Sequence, residues 1–209
     1  IHLRLLIATL LTFAAVSTGD QTARLYTSAD GLANSHVHDI FQDSKGFIWI
    51  STENGLSRFD GMKFSTFRYD KTKSNSIASN IVRTVLEDSK GLIWVGTSAG
   101  LQIFDTEYNT FSKINLEDWS VPDSDQHISS VLEVSIKGSR KIAATSSGHG
   151  IYILDAESHT IDHETQNAIK KLLSSQFISD AFKDSKGRLW VSNDTQGLKV
   201  IDLNTLSEV

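Results

Sequence analysis

The sequence predicts an all-β fold built from repeated units of four short antiparallel strands. A turn of the form Asp-Ser-Lys-Gly-x-x-Trp begins at Asp43, Asp88 and Asp184, and a Gly-Leu pair and a closing Asp follow it each time. Asp, Ser and Gly are turn residues, and the segments between the turns are apolar and rich in β-branched or aromatic residues. A spacing near the ~40–45 residues of known blade repeats indicates a β-propeller, in which blades pack side by side around an axis.

Aligned by these turns, the chain divides into four units, near residues 36–69, 81–114, 127–160 and 177–209. In each unit the first strand precedes the Asp turn, the second carries the tryptophan and the third begins at the Gly-Leu pair. A lone blade cannot bury both faces, so the repeated tryptophans are expected in the core between blades. The predicted first strands are 37–42, 82–87, 128–133 and 178–183, and the predicted fourth strands of the first two units are 64–69 and 110–114.

The third and fourth units depart from the pattern. The third has Ile142 in place of Trp and a lengthened first turn over residues 135–140. A helical turn is expected at 168–173, between the third and fourth units. The fourth reaches only the start of its fourth strand at Leu206. We therefore expect an incomplete last blade, and about four blades that are a fragment of a larger propeller.

Composition narrows the classes of function. The 209 residues include one Pro and no Cys, and 39% of them are apolar, which is typical of an ordered protein without disulfides or thiolate zinc sites. The net charge of -5 disfavours a groove for nucleic acid, so no nucleic-acid partner is expected.

The first 17 residues have the pattern of a secretory signal peptide. His2 and Arg4 precede an apolar run over residues 5–16, and Ala15 and Ser17 are the small residues before a cleavage point. The run is shorter than the ~20 residues that a membrane-spanning helix needs. We therefore expect residues 1–17 to be removed on export, and residues 18–209 to form the propeller repeats outside the cytoplasm.

The consensus Asp-x-x-Gly-x-x-Trp-(Val/Ile)-x-Thr-x-x-Gly-Leu resembles the two-component regulator propeller repeat. Residues 43–60 and 88–105 match it at nearly every position, residues 184–202 match with one inserted residue, and the third unit matches poorly. The segment 28–35 is similar to the family's entry segment.

This resemblance implies a bacterial sensor. Members of the family are extracytoplasmic regions of hybrid two-component histidine kinases that detect complex glycans, and their repeats form seven-bladed propellers. The resemblance thus implies a glycan-derived ligand, signalling to transcription, and a periplasmic location with the parent chain anchored in the inner membrane. It also implies the rest of the propeller and sensor chain as partner, or a second copy in a homodimer. The kinase modules themselves are absent from this stretch.

No catalytic, cofactor or metal site is predicted. The chain has no Gly-rich phosphate loop, no Gly-x-Ser-x-Gly elbow and no His-Glu-x-x-His. His36 and His38 share one face of a strand, as a metal site requires, but no third ligand is near them in sequence. The repeated turn aspartates are assigned a local structural role. Two alternatives to a sensor stay open: a carbohydrate-active propeller enzyme (a lyase or glycosidase) and a protein-interaction scaffold.

The best candidate ligand surface follows from the blade topology. If the first strand is innermost, its residues near one rim form a mixed polar ring of two layers, made of His38, Arg83, Ser129 and Ser179, then Asp39, Thr84, Ser130 and Asp180. The turns between second and third strands add Asn54 to the same rim. Such a ring suits an oligosaccharide or another small hydroxylated ligand, and Arg83, His38, Asn54 and Asp180 are the candidate binding residues. The alternatives are a water-filled channel, or an Arg83 that only pairs with Asp39 or Asp180.

Overall fold

The computed structural model describes residues 23–116, 127–174, 176–193 and 197–209. The expected signal peptide at 1–17 lies outside these ranges. The strands are β1 (Val37–Gln42), β2 (Ile48–Thr52), β3 (Gly55–Phe59), β4 (Phe64–Phe67), β5 (Val82–Glu87), β6 (Ile93–Thr97), β7 (Gly100–Asp105), β8 (Thr110–Lys113), β9 (Ile128–Ile136), β10 (Ser139–Ser146), β11 (Gly150–Asp155), β12 (Ile178–Lys183), β13 (Arg188–Asn193), β14 (Gly197–Asp202) and β15 (Ser207–Glu208). The helix α1 spans His163–Leu173 between β11 and β12, and a short 3-10 turn spans Ser28–Asp30.

The strands form four antiparallel sheets in sequence order, which confirms the predicted propeller blades. Blade one is β1–β4, blade two β5–β8, blade three β9–β11 and blade four β12–β15. The first strands β1, β5, β9 and β12 contact one another from each blade to the next. The first strand is therefore the innermost strand of each blade, as the ring of candidate residues requires.

The repeated turn has the structural role that the sequence predicts. In blade two, Oδ1 of Asp88 accepts hydrogen bonds from the backbone N–H groups of Lys90 and Leu92, at 2.9 and 3.0 Å. Oδ2 of the same carboxylate accepts from Nε1 of Trp94 at 3.0 Å. The same three bonds form around Asp43 in blade one and Asp184 in blade four. Each carboxylate thus closes its turn and fixes the orientation of the tryptophan ring.

The apolar core lies between neighbouring blades. Trp94 is fully buried in a cluster shared with blade three, and Trp49 is buried against residues of blade two. In blade three, Ala143 takes the register position of the tryptophan, because it pairs with Leu132 and Ile153 as Trp94 pairs with Leu86 and Ile103. The expectation of Ile142 in this position is therefore wrong by one residue, and Ile142 is instead buried on the opposite face, in the same cluster as Trp94. Burial of this apolar surface is the main driving force for blade stacking.

A hydrogen-bonded clasp joins each of the first two blades to the next. Ser44, in the turn of blade one, donates from its backbone N–H and its hydroxyl to the carboxylate of Glu87 at 2.6 and 2.7 Å. Ser89 makes the same pair of bonds to Glu133 at 2.8 and 2.6 Å. Blade three lacks this serine, because only Lys137 and Gly138 separate β9 from β10 and the lengthened turn expected at 135–140 is wrong. Nζ of Lys183 instead donates to the backbone carbonyl of Glu133 across the contact between blades three and four.

Blade three is where the prediction of four strands is wrong. Residue Ile161 pairs with Leu154 only as an isolated bridge, and the chain then enters α1, whose N-cap is Asp162. Gln166 on this helix accepts a hydrogen bond from the backbone N–H of Ile153 at 3.1 Å. The helix therefore satisfies the outer edge of β11 in place of a fourth strand. The helical turn expected at 168–173 is the second half of this longer helix.

Blade four has only a short fourth strand, as expected from a unit that reaches just the start of this strand near Leu206. The strand β15 pairs with β14 through Ile201–Glu208 and Asp202–Ser207. It is only two residues long, after a turn in which Leu206 takes a positive φ of 52°. Within the described ranges, no helix is long and apolar enough to span a bilayer.

Candidate functional site

A β-bulge occurs at the same place in all four first strands. In β1, Val37 pairs with Thr52 and Asp39 with Ser51, so His38 is the extra residue. The same shift of register makes Arg83, Ser129 and Ser179 the extra residues of β5, β9 and β12. A bulge redirects the side chain of its extra residue out of the regular alternation of the strand. We call these four positions the bulge residues.

The bulge residues of the four blades meet in one place. They line two adjoining cavities of about 480 and 350 Å³, and all four border both. We treat the two together as the inner cavity. Asp39, Thr84, Ser130 and Asp180, the second predicted layer, line the smaller of them. The ring predicted from the sequence is therefore confirmed as the wall of a cavity between the innermost strands.

An imidazole, a carboxylate and a guanidinium form one cluster at the blade one side of this cavity. Nε2 of His38 lies 2.6 Å from a carboxylate oxygen of Glu53, in the turn between β2 and β3. The hydrogen bond from His38 and the positive charge of Arg83 hold the pKa of Glu53 below its ordinary value, although desolvation opposes them. Because an ionised carboxylate only accepts hydrogen bonds, Nε2 of His38 is the donor.

Arg83 lies against this imidazole rather than against a carboxylate. Its Nη1 is 3.3 Å from both ring nitrogens of His38. Among the described residues, neither Asp39 nor Asp180 lies within ion-pair distance of Arg83 in the structure. The alternative that Arg83 merely pairs with one of them is therefore not what the described part of the chain shows, and guanidinium donors stay available to the cavity.

The side chains of the second layer mainly accept hydrogen bonds from the backbone of the first strands. A carboxylate oxygen of Asp39 accepts a hydrogen bond from the backbone N–H of Val85 at 3.1 Å, which ties blade one to blade two. The hydroxyl of Ser130 accepts from Ala181 N–H at 3.2 Å and ties blade three to blade four. Asp180 accepts from the same N–H at 2.8 Å. Asp39 and Ser130 are inter-blade ties, and we expect Asp180 to belong to the same class.

The structure brings together three of the four residues chosen from sequence. His38, Arg83 and Asp180 line the inner cavity, whereas Asn54 is exposed at the tip of the β2–β3 turn and is not among the lining residues. Its backbone carbonyl instead accepts a hydrogen bond from Arg68. Sequence reasoning missed His127 and Ser147, which line the larger part of the cavity. The position of His127 directly before a first strand was the signal that could have found it.

The described residues give little support to metal or acid–base chemistry. No group of three His, Asp or Glu side chains among them is arranged to hold a metal ion. The pKa of each turn carboxylate with a resolved shift is lowered. For Asp88, burial raises the pKa, but bonds from Trp94 and from turn N–H groups outweigh it. For Asp184 the bond from Trp190 is the largest cause of the lowered pKa.

Three segments, residues 31–54, 76–99 and 172–195, match the family model described as two component regulator propeller. The chain carries two-component regulator propeller repeats. The three matches contain the turn and tryptophan of blades one, two and four, and the degenerate blade three lies between the second and third matches. The resemblance predicted from the consensus is therefore confirmed.

The proteins similar to this chain include a histidine kinase and a hybrid two component system. Over 71 residues, 32% of this chain, the sequence is 38% identical to Histidine kinase P4 of Formosa agariphila, and it covers 5% of that protein. The fold is similar to the extracellular domain of the hybrid two component system BT3049 of B. thetaiotaomicron, with a TM-score of 0.73 and 27% identity over 89% of this chain and 26% of that one. The WD40 β-propeller domain of Doa1 shares the fold alone, with a TM-score of 0.56 and 12% identity over 80% of this chain and 52% of that one. The chain thus spans a small part of the regulator relatives that it matches.

Proposed function

We propose that these blades are the ligand-sensing part of a two-component sensor, that they act outside the cytoplasm, and that the inner cavity binds a glycan-derived or similar hydroxylated ligand. The observation that carries the proposal is the convergence of four bulge residues, one from each blade, on this cavity. A ligand there would contact every blade at once, so its binding would change how the blades pack. The kinase and extracellular sensor relatives support the role in signalling and the location.

The lining chemistry suits hydroxyl groups better than an apolar ligand. Arg83 presents a planar set of N–H donors, and His38 adds a ring at the same wall. The hydroxyls of Ser129 and Ser179 each bond a serine or threonine hydroxyl of the neighbouring second strand at 2.8 and 3.0 Å. A serine hydroxyl both donates and accepts, so these pairs can also serve a sugar hydroxyl.

We propose binding without turnover. A glycosidase needs two carboxyl groups in different environments, one of them a general acid whose pKa is raised. The described carboxyl groups with resolved pKa shifts are all shifted downward, including Glu53 beside the cavity. These groups suit hydrogen-bond acceptance rather than proton donation.

We infer that the open faces of the first and last blades pack against further blades of the sensor chain. The blade one face carries an apolar cavity of about 360 Å³, and on blade four Phe182 and Leu198 are 64% and 59% exposed. Asp180 is the positional equivalent of Asp39, whose carboxylate holds the next first strand. A homodimer through the same faces is the competing arrangement, and the oligomeric state of a longer chain separates the two.

Calorimetric titration of the protein with a panel of neutral and acidic oligosaccharides tests the binding proposal. The cavity variant is Arg83→Ala, and Lys45→Ala, in the exposed turn of blade one, is the control that removes the same charge elsewhere. We expect binding of one panel member to weaken by about tenfold or more in Arg83→Ala, because a half-buried hydrogen-bond donor to the ligand is lost, and to stay unchanged in the control.

The denaturation midpoints of both variants are measured alongside, to separate lost binding from lost folding. Binding that survives Arg83→Ala unchanged would remove the inner cavity from the proposal. Cleavage of any panel member would replace the sensor with the carbohydrate-active enzyme.

A further inference from the structure

A second cavity lies on the outer side of the molecule, away from the bulge residues. It has a volume of about 670 Å³ and runs between β4 of blade one, β8 of blade two and the segment 69–77 that connects the two blades. Its walls include Phe67, Tyr69, Lys71, Asn75 and Asn109. We call it the lateral groove. The proposed sensing role does not use it.

The lateral groove is formed by a connection that is fixed in place. The backbone carbonyl of Asn75 accepts from the N–H of Phe111 on β8 at 2.9 Å. The backbone N–H of Ala78 donates to the side chain of Gln102 at 2.7 Å, and Gln102 is itself buried. The C-terminal part of the connection is thereby held to blade two, and the backbone N–H of Tyr69 at its start donates to the side chain of Asn80 at 2.8 Å. A ligand would therefore find these walls already in position.

The groove has an excess of positive charge on an acidic protein. Arg68 donates from Nε and Nη2 to two backbone carbonyls at 3.1 and 3.0 Å, which orient the guanidinium but leave its charge uncompensated. Lys73 lies 3.7 Å from Asp70, so those two charges offset each other. Lys71 has no hydrogen-bond or ion-pair partner among the described residues. Two positive charges thus remain, although the whole chain carries -5.

Aromatic and amide groups accompany these charges. Tyr69 lines the groove and is 53% exposed, and the floor contains Phe67 and Phe111, whose rings meet edge to face at 5.7 Å. Asn75 and Asn109 contribute amide groups that can both donate and accept hydrogen bonds. An exposed ring beside amides and cations matches a ligand that has an apolar ring face, hydroxyl groups and a negative charge.

We propose that the lateral groove binds an acidic saccharide unit, with its carboxylate or sulfate at Lys71 and Arg68 and its ring against Tyr69. Cations attract the anionic group, and the aromatic ring covers the apolar C–H face of the sugar. The inference rests on the proposed function only in taking a saccharide as the ligand. The site itself is separate from the inner cavity and can be tested separately.

The test titrates the protein with tetragalacturonate, its carboxyl-reduced neutral counterpart, a sulfated chondroitin oligosaccharide and inorganic sulfate. The groove variants are Lys71→Glu and Tyr69→Ala. Lys63→Glu, on the exposed hairpin between β3 and β4, makes the same change of charge outside the groove, and Arg83→Ala reports on the inner cavity. Denaturation midpoints confirm that each variant is folded.

We expect an acidic oligosaccharide to bind about tenfold more weakly to Lys71→Glu and to Tyr69→Ala, and with wild-type affinity to Lys63→Glu. We also expect the affinity to fall as salt is raised, and the two acidic probes to show whether carboxylate or sulfate is preferred. Equal losses of affinity in Lys71→Glu and Lys63→Glu would mean that the overall charge of the protein, and not the lateral groove, determines binding. A loss of affinity confined to Arg83→Ala would assign the ligand to the inner cavity. That result would refute binding at the lateral groove and leave the proposed function intact. Binding of sulfate as tight as that of the oligosaccharides, or no binding of either acidic probe, would also overturn the proposal.

Discussion

Replacing Asp88 by Ala should destabilise the protein more than the loss of any exposed turn residue. Asp88 is 4% exposed, and its carboxylate accepts from Trp94 Nε1, from two backbone N–H groups and from Arg140 at 3.3 Å. A buried donor that loses its acceptor costs ~1–3 kcal/mol. Arg140 keeps its bonds to Glu133 and Glu157, so three donors lose their acceptor. Lys90 and Gly91 in the turn are exposed, so solvent offsets part of this loss. We therefore expect a loss of ~3–5 kcal/mol, the range for breaking a buried charged group from its partners.

Urea unfolding followed by tryptophan fluorescence measures this loss as a shift of the midpoint at constant slope. Asp184→Ala is the matched control, because it removes the same three turn bonds from a carboxylate that is more exposed, in the last blade. Its midpoint should shift in the same direction and clearly less. A loss below about 1 kcal/mol for Asp88→Ala would show that the turn folds without its carboxylate, and would refute the structural role of the motif.

The difference in stability between the protein and Asp88→Ala should also depend on pH, in a direction set by the pKa of Asp88. The pKa of Asp88 is lowered in the folded protein, so its contribution is fully present above the ordinary pKa of an unfolded Asp, near 3.9. The contribution is lost as pH falls through the lowered folded value. The difference in stability between the protein and Asp88→Ala should therefore be constant from pH 5 to 7 and narrow below about pH 4. A difference that widened on acidification would mean that the folded pKa is raised instead.

Three further substitutions test the packing. Trp94→Ala empties a fully buried aromatic slot and should cost ~3–5 kcal/mol in urea unfolding, where a loss under about 1 kcal/mol would place the ring at the surface. Gly96→Ala would put a Cβ 2.7 Å from side-chain carbons of Ile128 and Thr84, so we expect ~1–3 kcal/mol of overpacking, and an unchanged melting temperature would contradict this contact. Gln166→Ala removes the acceptor for the edge of β11 and should cost ~1–2 kcal/mol and speed hydrogen exchange there, whereas unchanged exchange would mean that the helix does not protect this edge.

The parts of the fold that the sequence predicted are those set by local chemistry. The turn at Asp88 and the strand before it follow from turn residues and alternation, and the predicted bounds 82–87 agree with β5. The bulge at Arg83 was not predicted, because it is a shift of register between two strands and leaves no mark in composition. The ring was nevertheless found, since equivalent positions in repeats face the same way whether or not the strand is bulged.

The wrong predictions for Asn54 and for the helix α1 have a common physical cause in tertiary packing. Asn54 was placed at the rim with the bulge residues, but a turn tip extends beyond the strand ends and does not reach the cavity wall. For α1, only residues 168–173 were predicted as helical, whereas the helix has Asp162 as its N-cap and Glu164 in its first turn. Whether a strand or a helix follows β11 depends on which of them buries Ile169 and Leu173 against blade four, and a local pattern does not contain that choice.

The helix in place of a fourth strand also bears on solubility. An uncovered β11 would be an edge of six mostly apolar residues, Gly150–Asp155, with backbone groups ready to template a strand from another molecule. The side chain of Gln166 accepts a hydrogen bond from the backbone N–H of Ile153, and the backbone N–H of Asp162 donates to the carbonyl of Ile153 at 2.8 Å. Both backbone groups at the centre of this edge are therefore hydrogen-bonded. The helix thus prevents the edge of β11 from pairing with a strand of another molecule. Loosening it would expose the edge of β11 to strand addition.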